Sequence, residues 1–269
     1  MSSDHNAEWQ ELYSSMLFWE YDGILREEQY RSHAGFIERV LNLKPGDRVL
    51  DLGSGLGGLP IELARKGYEV TGLEWSKVYI EEARQRARRA NVEVRFLPGD
   101  MIHMEFDGEF DAVTLMRNTF GIFSHEDNLS TRIGIRKALK KGGQALLGTQ
   151  NEKGLPGNLE KGWDFENEGQ RLVLTRGTRD TRNARFGFEV IYVDLRTGER
   201  HRLPYSWRLY LLPELKLIFE EIGLALLGVY GDDPEVADWK NWRSGEPWPY
   251  TTEAFTEKAA VRNMVLRAG

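Results

Sequence analysis

The sequence predicts a doubly wound α/β fold: a mostly parallel, seven-stranded sheet flanked by helices, with an antiparallel β insertion after the fifth strand. Three observations carry this. Between residues 35 and 150, short β-favouring runs alternate with stretches of helical periodicity, the pattern of successive βαβ units. The first run, Val49-Leu50-Asp51-Leu52, passes directly into the glycine loop Gly53-Ser54-Gly55-Leu56-Gly57-Gly58, ahead of a helical stretch. Between Asn151 and about Tyr210 the helical stretches stop and strand-like runs follow one another, as antiparallel pairing requires.

The elements follow in order. Residues 7 to 30 mix aromatics with acids (Trp9, Tyr13, Phe18, Trp19, Tyr21, Tyr30) and read as one or two short helices on the open end of the sheet, with most aromatics in ordinary core. Phe36, Ile37, Val40 and Leu41 mark one face of a helix that stops before the turn Lys44-Pro45-Gly46-Asp47. After the glycine loop and its helix, Glu69 to Glu74 is a second strand ending in a carboxylate. Ser76 is placed to cap a helix that buries Ile80, Ala83, Ala87 and Ala90, with Glu82 and Arg86 spaced to pair on its outer face. The basic run Arg84 to Arg89 is a solvated face of the same helix, since Glu81 and Glu82 precede it.

Val92 to Leu97 is the third strand, Pro98-Gly99-Asp100-Met101 the loop at its carboxyl end, and Phe110 to Met116 the fourth strand, which leads into Arg117-Asn118-Thr119-Phe120. A helix over 126–139 stops at Lys140-Lys141-Gly142-Gly143, and Gln144 to Thr149 is the fifth strand. Within the insertion, strands are predicted at Arg171 to Thr175, Phe186 to Leu195 and Arg200 to Tyr210, with a hairpin turn at Arg196-Thr197-Gly198-Glu199. A helix at Pro213 to Glu221, a strand at Leu224 to Tyr230, a connection bearing Trp239, Trp242 and Trp248, and a last strand at Val261 to Arg267 complete the sheet. The expected divisions are an N-terminal helical lid (1–34), a ligand-binding core (35–150), an antiparallel cap (151–210) and a closing segment (211–269).

Composition narrows the classes. With 41% hydrophobic residues the chain can build a core, and a net charge of −6 provides no overall basic field to draw in nucleic acid. The absence of cysteine removes disulfides, thiolate nucleophiles and Cys-ligated zinc. The first residues lack a signal-peptide pattern and no apolar run approaches eighteen residues, so a cytoplasmic protein with no membrane span, no metal and no nucleic-acid partner is expected.

Charge bears on the ligand. Gly53, Gly55 and Gly58 satisfy G-x-G-x-x-G, and Glu74 lies where a ribose-binding acid is expected, so a dinucleotide is one candidate. Asp51, however, stands two residues before the first glycine, where a carboxylate would oppose a pyrophosphate. S-adenosylmethionine carries an ammonium, a sulfonium, a carboxylate and a ribose diol but no phosphate. It matches an acid at the first strand, glycine amides beside it, an acid at the second strand, and Asp100 for an adenine amino group.

These segments, with Phe110-Asp111-Ala112-Val113 and Leu139-Lys140-Lys141-Gly142-Gly143, resemble in order and spacing the successive motifs of class I S-adenosylmethionine-dependent methyltransferases. The resemblance covers residues 35 to 150 and implies a Rossmann-like methyltransferase fold. It also implies a role for Asp51, Gly53, Ser54, Gly55 and Gly57 around the methionine part, for Glu74 and Trp75 at the ribose, and for Asp100 and Met101 at adenine. Arg117 joins this cofactor set, and Tyr21 and Tyr30 would lid it. The insertion, with Asn118-Thr119-Phe120 after the fourth strand, looks like small-molecule members such as glycine and aminosugar N-methyltransferases, whereas the Asn-Pro-Pro-Tyr type of motif is absent. The implied reaction moves a methyl group from S-adenosylmethionine to a small-molecule acceptor, nitrogen slightly ahead of oxygen, and releases S-adenosylhomocysteine.

A hydroxyl acceptor generally needs a base and a neutral amine does not. The histidines in view are His125, His103 and His201, with His125 best placed as a catalytic group beside Asn118. Asn118, Arg208 and Tyr210 are the candidates for binding the acceptor. Other readings of the same residues are a non-catalytic S-adenosylmethionine-binding module, a nicotinamide-dependent oxidoreductase, which Asp51 and Asp100 oppose, and an RNA methyltransferase, which the overall charge opposes.

Overall fold

The computed structural model describes residues 27–151, 162–166, 171–231 and 261–269. The chain runs α1 (Glu27–Val40), β1 (Arg48–Leu52), α2 (Gly58–Arg65), β2 (Glu69–Glu74), α3 (Lys77–Ala90), β3 (Arg95–Pro98), β4 (Phe110–Leu115), α4 (His125–Ala138) and β5 (Leu139–Gln150). It continues through β6 (Gly162–Glu166), β7 (Arg171–Asp180), β8 (Arg185–Asp194), β9 (Arg200–Arg208), α5 (Leu212–Glu220), β10 (Leu224–Gly231) and β11 (Val261–Ala268). Seven strands form one sheet in the order β10-β11-β5-β4-β1-β2-β3, and β6 to β9 form a second, four-stranded sheet in sequence order.

The large sheet is parallel from β5 through β4, β1 and β2 to β3, while β11 lies antiparallel to both β5 and β10. From β1 the chain first winds outward to β2 and β3, then returns to β4 on the other side of β1. The direction of winding therefore reverses between β1 and β4, and a crevice opens above their carboxyl ends.

Alternation along the strands sorts the core onto two faces. Leu50, Leu52, Val113, Leu115, Leu147 and Met264 pack with Tyr210, Leu215 and Phe219. Their neighbours Val49, Ala112, Leu146 and Val265 pack on the opposite face against Phe36, Ile37, Leu59 and Leu63 of α1 and α2. Both faces are covered, so these strands are apolar throughout rather than half polar.

Local signals explain the helix ends. Ser76 caps α3 by accepting the Tyr79 N–H, and Asn91 closes it in the left-handed region. Ser124 caps α4 through the Asp127 N–H. At the start of α2, Gly57 adopts φ 78°, and a Cβ there would lie 2.7 Å from Phe96 and 3.0 Å from Ala83. Both the backbone angle and the packing require glycine.

Several boundaries differ from expectation. The third strand starts at Arg95 rather than Val92, and the fifth starts at Leu139, which pairs with Phe110 of β4, with Lys140–Gly143 out of register before Gln144 resumes the ladder opposite Ala112. The seventh strand of the chain reaches Asp180, five residues past Thr175, since polar Arg176 to Asp180 still find partners along β8. The ninth ends at Arg208. Strand β6 was not anticipated: it is only five residues long and two of them are acids. Helix α1 runs unbroken through residue 34, where a division was expected. Trp9, Tyr13, Phe18, Trp19, Tyr21, Trp239, Trp242 and Trp248 lie outside the described residues. Among the described residues no helix is long and apolar enough to cross a membrane.

Glycine positions allow the two causes of strain to be separated. Gly57→Ala should lose about 2–4 kcal/mol from left-handed strain plus crowding against Phe96. Gly67→Ala, where φ is 90° but nothing lies within 4 Å, should lose only about 1–2 kcal/mol. Urea unfolding of the two variants measures the difference, and equal losses would show that the Phe96 contact carries no weight.

Candidate functional site

At the tip of β1, Asp51 is 4% exposed. It stands opposite Thr114 of β4 in the ladder register, and its Oδ1 accepts the Thr114 hydroxyl at 2.6 Å. Burial pushes its carboxyl up to about 7, a rise that the Thr114 hydrogen bond opposes and the nearby Glu74 charge reinforces.

Glu74 ends β2 and is 6% exposed. Its Oε2 accepts the Gly55 N–H at 2.9 Å and its Oε1 accepts the Ser76 N–H at 2.8 Å. Burial raises its carboxyl, against the lowering effect of N–H donors from Ser76, Gly55 and Trp75. Gly53 and Ser54 donate to Leu73 O at 2.9 and 3.2 Å, which lays the loop directly against β2. Gly53 and Gly55 take φ 66° and 53°. The carboxylate therefore holds the loop, and the loop orients the carboxylate.

The loop after β3 joins the same edge. Gly99 N–H donates to Glu74 O at 3.0 Å, and Asp100 folds back to accept the Ile102 N–H at 2.9 Å. Met101 reaches under the glycine loop, where a Cβ on Gly53 would stand 3.2 Å from its terminal methyl. Trp75, Met101 and Ile122 pack against Ile102 and Phe123 in a small apolar cluster beside the acids.

At the exit of β4, Arg117 and Asn118 both adopt φ 58°, two consecutive left-handed residues that are not glycine. Asn118 Nδ2 donates to Gln150 Oε1 at 2.9 Å. Helix α1 covers this corner. Tyr30 lies on the glycine loop, since a Cβ on Gly58 would fall within 2.3–2.5 Å of its ring. His33, 4% exposed, is pushed down to about 3 by burial and then by the Arg117 charge. This neutral histidine beside Arg117 was not singled out in the sequence. Only the lie of α1 over the sheet reveals it.

His125, Tyr210 and Arg208 meet one another rather than the acids. His125 Nδ1 and the Tyr210 hydroxyl share a hydrogen bond at 3.1 Å, the Arg208 guanidinium sits 4.7 Å above the Tyr210 ring, and its Nη2 donates to Glu214 at 2.6 Å. Tyr210 is 2% exposed, and its hydroxyl is raised above its ordinary value by burial. His103 is exposed on the loop after Asp100, and His201 pairs with Glu199 at 3.3 Å on the second sheet. Arg185, also missed in the sequence, donates to Ile122 O, Phe123 O and Ser206 O at 2.8–3.0 Å. It fastens the second sheet to the loop that follows β4. Among the described residues no group of three or more His, Asp or Glu gathers as a metal site.

Comparison with known proteins agrees with this geometry. A family model described as a methyltransferase domain matches residues 49–143. The chain is 28% identical over 207 residues to the cypemycin N-terminal methyltransferase of a Streptomyces species, covering 74% of this chain and 81% of that protein. It is 34% identical over 133 residues to the demethylmenaquinone methyltransferase of Thermus thermophilus, covering 47% of this chain and 59% of that one. Apart from the cypemycin enzyme, the chain spans between 26% and 59% of the length of these curated relatives. Among solved structures, the CcbJ methyltransferase from Streptomyces caelestis superposes with a TM-score of 0.76 at 20% identity, over 96% of this chain and 98% of that one. The chain has the class I S-adenosylmethionine-dependent methyltransferase fold.

Proposed function

We propose that this chain is an S-adenosylmethionine-dependent methyltransferase acting on a small-molecule acceptor, with nitrogen favoured over oxygen. The observation that carries this reading is the pair of buried carboxylates, Asp51 and Glu74, at adjacent strand tips with the glycine loop pinned between them. A pyrophosphate would meet two negative charges there. A cation and a ribose diol meet complementary groups. The N–H groups of Gly55, Ser76 and Trp75 occupy three of the roughly four lone-pair sites of the Glu74 carboxylate and leave one for a ribose hydroxyl, so the residues fit the cofactor.

In this reading Asp51, with Gly53, Ser54, Gly55 and Gly57, would hold the methionine part, Glu74 the ribose, and Asp100 the adenine amino group against Trp75 and Met101. Tyr30 and Arg117 would close the site from the α1 side. Bound S-adenosylmethionine supplies an electrophilic methyl on a sulfonium. The protein's contribution is to orient the acceptor in line with that methyl and to exclude water.

Nitrogen is favoured because the described histidines near the crevice are poorly suited to removing a hydroxyl proton. His33 is held far too acidic and His125 is engaged with Tyr210. A neutral amine attacks through its lone pair and loses its proton to solvent afterwards. The cypemycin relative is named as an N-terminal methyltransferase, which supports the same choice. His125 and Asn118 remain the residues proposed nearest the chemistry, and Arg208 and Tyr210 are proposed to shape the acceptor side.

Three measurements test this. Calorimetric titration should detect S-adenosylmethionine and S-adenosylhomocysteine but not NAD, and Glu74→Ala should weaken both by about 30-fold, the equivalent of roughly 2 kcal/mol. Unchanged affinity would remove Glu74 from the site. Asp51 has its folded value raised above 3.8, so its contribution to stability is present below pH 3.8 and is lost as pH rises through about 7. Ionisation over the same range should strengthen binding of the cationic cofactor, with affinity rising from pH 6 to pH 8. Asp51→Asn should flatten that profile, and a wild-type profile that is already flat contradicts the assignment. Finally, S-adenosylhomocysteine release should be greater with primary and secondary amines than with phenols or alcohols, and the reverse order would assign oxygen.

A further inference from the structure

The three residues that follow Phe120 are held from two sides. From below, Asn128 of α4 is fully buried, accepts the Gly121 N–H at 3.1 Å and donates to Phe123 O at 3.1 Å. From the second sheet, the Arg208 N–H donates to Gly121 O at 2.7 Å. Arg185, 7% exposed, donates to Phe123 O through Nη1 at 2.8 Å and to Ile122 O through Nη2 at 3.0 Å. The same guanidinium is fixed within its own sheet by Ser206, whose carbonyl and hydroxyl oxygens accept from it at 2.9–3.1 Å. A planar fork of donors can meet two consecutive carbonyls and a neighbouring strand at once, and a single ammonium cannot reproduce that geometry. What the gripped segment carries decides what the grip does. Ile122 and Phe123 pack with Trp75, Met101 and Ile102 in the apolar cluster beside the acids, so holding their carbonyls fixes where two side chains of that wall stand.

We infer that Arg185 is a positioning residue for the adenine of the bound cofactor, an inference that rests on the S-adenosylmethionine reading. It acts through Ile122 and Phe123, from a strand of the second sheet that supplies none of the residues assigned to the cofactor. Without it, the segment keeps Asn128 at Gly121 and Phe123 but loses the Arg185 donors at Ile122 O and Phe123 O. The wall must then be ordered as the cofactor binds rather than beforehand, and that ordering is subtracted from affinity. Cofactor affinity is in this way set partly from the second sheet. A residue that merely tied the two sheets together would act on stability and leave the affinity of the folded protein as it was.

The test is calorimetric titration of two ligands into the full chain and its variants, with thermal melting alongside as the check on folding. The ligands are S-adenosylhomocysteine and methylthioadenosine, which keeps the adenine and ribose but lacks the amino acid. Arg185→Lys, which retains the charge and most of the bulk, should weaken both by the same factor of about five to thirty, the factor for ordering one backbone residue on binding. Arg185→Gln is the second variant should the first not fold. Arg202→Gln, which breaks the exposed pair with Glu189 on the same sheet, should leave both affinities at the wild-type value. Unchanged affinity in the Arg185 variants overturns the assignment, as does a loss for S-adenosylhomocysteine that methylthioadenosine does not share. An equal loss in Arg202→Gln also overturns it, since any loosening of the second sheet would then suffice. If the wild-type protein binds neither ligand, the S-adenosylmethionine reading falls and the role of Arg185 falls with it. Wild-type binding with unaltered variants removes Arg185 alone.

Discussion

The contact between Glu74 Oε2 and the Gly55 N–H is the constraint on which the site depends. A carboxylate at the end of a parallel strand would ordinarily seek water, yet this one is enclosed and its charge is met by backbone donors on both oxygens. Burying it without those donors would cost several kcal/mol. The glycine loop must therefore bend back onto β2, which needs the left-handed angles at Gly53 and Gly55 and leaves no space for a Cβ at Gly72, where Ser54 Oγ would lie 2.8 Å away. The loop's shape follows from where one negative charge is kept.

Much of this could be read in the sequence because it rests on local rules. Strands buried on both faces read as apolar runs, the glycine loop is set by backbone angles, and Ser76 is a cap that its residue type predicts. What could not be read depends on partners distant in the chain. The polar half of β7 is a strand only because β8 lies beside it, and Arg176 and Arg202 both bind Glu189 across the sheet. His33 looks like any residue on a helix face until α1 is laid next to Arg117. The grouping of His125 with Tyr210 spans 85 positions, and no spacing rule reaches that far. Those residues were chosen for their chemistry, and the fold gives each of them a partner.

The second sheet is tied to the large one through backbone oxygens. Arg185 donates to two carbonyls of the loop after β4, Arg208 N–H donates to Gly121 O at 2.7 Å, and a Cβ on Gly121 would lie 2.8 Å from Arg208 O. Phe123, one of the residues held, packs with the cluster beside Trp75 and Met101. Movement of the second sheet would therefore pull on the apolar wall next to Glu74, so the two ends of the crevice are mechanically joined.

The antiparallel strand β11 carries a kinetic consequence. It separates β5 from β10, and Arg262 donates to Asn151 across 111 positions of chain. Until residues 261–268 arrive, β5 is an apolar edge with one side unpaired, and the loop closure that covers it is long. Contacts of this separation form slowly, and an uncovered strand edge is a template for pairing with another molecule. The step that completes the sheet is thus also the one during which the chain is most exposed to aggregation.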